Sequence, residues 1–205
     1  MSVLRQLKAD LVLPTWPLAG EAASVDVLAL LDGDMLDDIC DVWRCLLPES
    51  EWPSEPAVSR VHASDSEWYK VCTIAAQRGI FEKCDEHDIF IDVAGNKVLL
   101  GAMGVDKPKV QPGDGVLMLM RFICICCPVN AYFRKVRGDA HVLSYIGYAT
   151  LILLDDEEEL WMDSEDVTSC FNVFRMPDFW KRFFVFNKQV PQSAFGGDPN
   201  RMVWP

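Results

Sequence analysis

The chain has 205 residues, half of them hydrophobic and 24% charged, a globular composition rather than a disordered, collagen-like or fibrous one. Its 31 acidic and 19 basic side chains give a formal net charge of −12, which excludes a protein that coats nucleic acid with its whole surface and confines any such contact to a local basic patch. Eight cysteines are too sparse for a small disulfide scaffold, no secretory cleavage pattern follows Arg5 and Lys8, and no apolar run reaches the roughly 18 residues that span a bilayer, so an intracellular chain with free thiols and no membrane partner is expected.

Residues 26–60 carry nine acidic and two basic side chains. Ser24 is placed to cap a helix running through Val27, Leu28, Leu31, Met35, Ile39, Val42 and Leu46. The three- and four-residue spacing predicts one buried face, and Asp32, Asp34, Asp37, Asp38 and Asp41 fill the other. Pro48, Pro53 and Pro56 interrupt any regular element, so residues 48–60 read as a linker. Residues 1–60 are thus expected to form an acidic helical N-terminal segment, with a second unit over 61–205. There, Ser64 followed by Glu67 is a capping box, and Trp68, Val71, Cys72, Ala75 and Ala76 make an apolar stripe that Gly79 ends.

From Lys97 the period changes. Residues 98–105 read as a strand, 107–115 as a long turn rich in Pro and Gly, and 116–127 as a nearly continuous apolar strand. Together they predict a β-hairpin with a basic tip. Strand material is expected over 151–154 and 159–166, around a solvated acidic turn, with helix over 166–174 and a short strand over 183–186. For the rings between Phe179 and Phe186, core packing is the expected fate, ahead of base stacking.

Two residues invite chemistry. Arg121 is the sole charge inside the apolar run 116–127, and a charge there must find an anion or reach solvent. A ligand phosphate would serve, because a guanidinium forks onto its oxygens; spacing alone favours an edge-strand Arg paired with an acid. Asp163, Glu165 and Asp166 end an apolar strand, a placement that can offer carboxylates to Mg²⁺ or simply cap a helix.

Taken in order, Arg121 through Asn130, Leu160 through Asp166, Phe171 through Pro177 and Trp180 through Phe186 resemble the fingers and front palm of retrotransposon reverse transcriptases. The resemblance spans about residues 95–190, and residues 101–109 are similar to the family's basic fingers hairpin. It implies an α+β fold, a partial fingers–palm unit with an antiparallel sheet preceded by the helical N-terminal segment. It implies metal-dependent nucleotidyl transfer, with RNA or DNA template–primer and dNTPs as partners. Arg121 matches the arginine that grips the incoming triphosphate, with Lys107 or Lys109 as its partner. Asp166 matches the first palm carboxylate, a ligand for Mg²⁺ and the catalytic residue. Phe171 matches the aromatic that excludes a 2′-hydroxyl. Ile125 and Cys127 depart from the family's acid and second arginine. No Tyr-x-Asp-Asp pair is present, so this chain alone is expected to be inactive.

Two other readings compete. Cys124-x-x-Cys127 and Cys84-x-x-His87 could supply four zinc ligands, although the first pair falls in a strand-like run and buried thiols explain it equally. The acidic face of residues 24–47 could instead dock a basic protein. His62, His87, His141, Ser144 and Cys170 show no nucleophile–base spacing, and no glycine-rich phosphate loop occurs.

Overall fold

The structure, a computed structural model, describes residues 4–110, 116–135 and 170–205. In chain order come strand β1 (Leu4–Arg5), helix α1 (Ala9–Val12), strand β2 (Val25–Asp26), helices α2 (Gly33–Cys40), α3 (Val42–Cys45) and α4 (Asp65–Gln77), and strands β3 (Gly101–Val110) and β4 (Val116–Ile125). Helices α5 (Cys127–Asn130) and α6 (Cys170–Val173), strand β5 (Phe174–Arg175), helix α7 (Asp178–Lys181) and strands β6 (Val190–Pro191) and β7 (Met202–Val203) complete the described elements. This is a mixed α+β architecture with small sheets.

The α4 helix forms as its sequence dictates. Ser64 accepts the Glu67 N–H at 3.3 Å, Trp68, Val71, Cys72 and Ala75 are fully buried, and Gly79 follows the helix at φ +75°. The box is not reciprocal. The Glu67 carboxylate accepts the Ala9 N–H at 2.6 Å, tying α1 to α4, and this bond leads the influences that hold Glu67 below the ordinary carboxylate range. Trp68 donates its indole N–H to the Lys188 carbonyl and stands in an aromatic cluster with Trp16, Phe81, Phe122 and Phe186.

The predicted hairpin is present as the antiparallel pair β3–β4, in register from Gly101 opposite Ile125 to Val110 opposite Val116. The long turn expected over 107–115 is strand as far as Val110, and residues 111–115 lie outside the described part. β1 adds to the outer side of β3, giving the order β1-β3-β4. Ala102, Met120 and Phe122 turn toward the aromatic cluster and carry the sheet's share of the core. Gly101 is required where β3 starts, because a Cβ there would meet the Arg60 carbonyl oxygen at 2.5 Å. That closeness lets residues 60–62 run beside β3, with the Ala102 N–H donating to Arg60 and the His62 N–H to Ala102.

The long N-terminal helix expected over residues 24–47 is replaced by short pieces. Ser24 donates its hydroxyl to the Glu21 carbonyl and caps nothing. Asp26 and Asp41 accept the N–H groups of Leu28 and Trp43 and start new turns, and Gly33 adopts φ +52°. Aspartates that bond their own backbone two residues on compete with a continuing helix. Only part of the predicted stripe is buried: Val42 and Leu46 are, whereas Met35 is 63% exposed. Nor are residues 48–60 a bare linker, since Trp52 packs edge-on against Phe90 and Tyr132. Residues on both sides of position 60, from Leu7 to Val203, share one apolar cluster.

Residues 183–186 make no regular strand. Phe183 belongs to the turn that follows Lys181, and Phe186 makes a parallel bridge with Leu100. The expected helix over 166–174 is described only as α6, and the strands expected over 151–154 and 159–166 lie outside the described residues. Among the described residues no helix is long and apolar enough to cross a membrane.

Candidate functional site

Register decides where the hairpin's basic residues go. In an antiparallel ladder, residues directly opposite share a face, and successive residues alternate. Arg121 lies opposite Val105, and Lys107 opposite Leu119. These positions share one face as diagonal neighbours, which places their Cβ atoms about 7–8 Å apart. Lys109 occupies the next register position, opposite Leu117; its side chain is outside the described part.

That face points away from the aromatic cluster. Lys107 and Arg121 are exposed, and Leu117 and Ile123 are 41% and 36% exposed around them. Leu119 is buried and gives the face an apolar floor. Arg121 forms no ion pair among the described residues. The nearest acid on β3, Asp106, has the opposite parity and pairs with Arg5 at 2.7 Å. The edge-strand Arg neutralised by an acid is therefore not the arrangement seen among these residues.

Asp166, the carboxylate expected to hold Mg²⁺, lies outside the described residues, as do Asp163, Glu165, His141 and Ser144. Phe171 falls in α6, and its side chain is outside the described part. Of the residues expected at the site, the described part holds Lys107 and Arg121 with their side chains and Lys109 and Phe171 by backbone alone.

The four zinc candidates are all described, and among the described residues no three His, Cys, Asp or Glu side chains gather to hold a metal. The Cys84 thiol donates to the Asp85 carbonyl at 3.3 Å. Burial first, then the charges of Asp88 and Asp85, push it up to about 11, so it stays protonated near neutral pH. The described cysteines are free thiols. On the acidic segment, Arg44 lies within 4.0 Å of Asp37 and 3.8 Å of Asp38, which dilutes the acidic face expected to dock a basic partner.

A second polar group was invisible in the sequence. Asp92, 7% exposed, accepts the N–H groups of Ala94 and Asn96, the Asn96 side-chain amide and the Tyr132 hydroxyl. Burial works to raise its carboxyl, and these hydrogen bonds outweigh it, so the group sits below the ordinary value. Burial and the Asp92 bond push Tyr132 up to about 12. Each bonding capacity is used within the protein, so this is a structural lock for the 92–96 turn.

Comparison with protein families, with curated proteins and with solved structures finds no match.

Proposed function

We propose that the chain is a retroelement-derived, reverse-transcriptase-like fingers and front-palm unit whose exposed hairpin face binds the triphosphate of a nucleotide. The family activity is metal-dependent nucleotidyl transfer in RNA-directed DNA synthesis. One observation carries the reading: the ladder register sets Lys107 and Arg121 side by side on a solvent-facing surface, with the neighbouring acid Asp106 held by Arg5 on the other face. A cationic pair with no ion-pair partner among the described residues has capacity for phosphate oxygens, and the guanidinium supplies a two-pronged donor. In this reading Asp166 is the Mg²⁺ ligand and the catalytic residue, Phe171 lies under the sugar, and Lys109 is a further contact to the phosphates. The 205 residues hold no Tyr-x-Asp-Asp pair, and a two-metal centre needs those further carboxylates. The chain alone therefore binds nucleotide without extending a primer. Calorimetric titration with a dNTP and Mg²⁺ tests the binding. Arg121→Ala is expected to weaken it by about tenfold or more, as loss of a charged hydrogen-bonding group does. Equal binding by the variant, or incorporation of dNTPs by the unmodified chain, contradicts the proposal.

A further inference from the structure

A cleft of about 960 Å³ opens beside α7, on the other side of the ladder from Arg121. Cys124 is the β4 residue on its wall, and three residues from Arg121 it belongs to the opposite face of the strand. The wall is aromatic and unusually open to solvent: Trp43 is 54% exposed, and Phe174, Phe179 and Phe184 are each close to 40% exposed. Rings left this open while Phe183 and Phe186 beside them are buried are surface that the core does not use.

Arg182 stands in the same wall. Its guanidinium lies 5.4 Å from the centroid of Trp43, and its Nε is buried without a hydrogen-bond partner. An arginine whose Nε is withdrawn from water and unmatched is costly to hold as a cation, and an anion bound from the cleft by its remaining N–H groups would offset that cost. The other charges on the wall leave room for it. Lys181 already binds Glu82 at 2.7 Å and Asp178 at 2.8 Å, which accounts for those two acids. Asp88, the remaining acid, is exposed beside His87 at 3.5 Å. Lys83 and Arg175 also line the cleft and form no ion pair among the described residues.

We infer that this cleft is a second binding site, for phosphate carried on a planar aromatic group: Arg182 takes the phosphate, with Lys83 and Arg175 at its rim, and the open rings stack the base. Stacking on aromatic side chains beside a basic track is how bases are held without sequence preference. The inference uses none of the residues of the hairpin face and does not depend on that reading.

Calorimetry on the full chain with AMP, adenosine, inorganic phosphate and a short single-stranded DNA tests it. AMP is expected to bind more tightly than adenosine or phosphate alone. Arg182→Met is expected to weaken AMP by about tenfold or more, with Arg121→Ala leaving AMP binding unchanged. Should Arg182→Met fail to fold, judged by circular dichroism, Phe179→Ala carries the test: it removes an exposed ring and is expected to weaken AMP severalfold without affecting inorganic phosphate. Arg182- or Phe179-dependent binding that is tighter for the strand assigns the phosphate to a polymer, and tighter for AMP to a free nucleotide; either result supports the site. Absence of saturable binding by both AMP and the strand, or binding that none of these cleft variants weakens, overturns it. Loss of AMP binding in Arg121→Ala alone would also overturn the cleft site while leaving the hairpin proposal standing.

Discussion

The two faces of the β3–β4 ladder do opposite jobs with the same backbone. Inward, Ala102 and Met120 are at most 1% exposed, and Phe122 meets Trp16 edge-on with centroids 5.3 Å apart. Outward, Lys107 and Arg121 stand in solvent with an apolar floor at Leu119. Alternation alone separates them, so a substitution on one face should leave the other's property intact. An arginine in an apolar run is accommodated where its strand parity faces water, as Arg121 does opposite Val105.

Breaking the inward side should cost most. Trp68→Ala removes a fully buried indole from the cluster that Phe122 joins and strands the Lys188 carbonyl, and about 3–5 kcal/mol of stability should be lost in chemical denaturation. A loss under 1 kcal/mol would show that the cluster is not the sheet's anchor. Gly101→Ala forces a methyl against the Arg60 backbone at the ladder's start, and about 1–3 kcal/mol is expected from the same measurement.

The Asp92 turn gives a pH test of comparable size. Its carboxyl is lowered by folding, so its contribution is fully present above the unfolded-state value and fades as pH falls through the folded one. Asp92→Asn should cost about 1–3 kcal/mol at neutral pH and flatten the acid limb of the stability curve. An unchanged acid limb would contradict the hydrogen-bond assignment.

The smallest effects belong to the outward side. Arg121→Ala should shift stability by less than about 0.5 kcal/mol, since the side chain is exposed and makes no ion pair among the described residues. Arg44→Ala, which releases Asp37 and Asp38 from exposed pairs, should do no more. A large destabilisation by Arg121→Ala would mean that the outward face is a structural surface.

Legibility tracked how local the governing forces are. Helix α4 was readable because Ser64, Trp68 and Gly79 carry its start, face and stop within sixteen residues of sequence. The hairpin was readable from its apolar run. The long N-terminal helix that periodicity predicts does not form, because Asp26 and Asp41 cap short turns instead of extending one, a contest that periodicity does not weigh. The diversion of Glu67 to Ala9 and the pairing of β1 with β3 are long-range and left no local mark. At the candidate site, residue types were legible but not register: Lys107 and Arg121 meet on one face only because Val110 pairs with Val116. The stacking of Arg182 on Trp43 had no signal in spacing at all.

The most direct test of the account is nucleotide affinity measured side by side for the unmodified chain and Arg121→Ala, with thermal stability recorded on the same samples. Arg121→Ala is expected to weaken dNTP–Mg²⁺ binding by about tenfold or more at unchanged stability. Equal affinity in two equally stable proteins would contradict it.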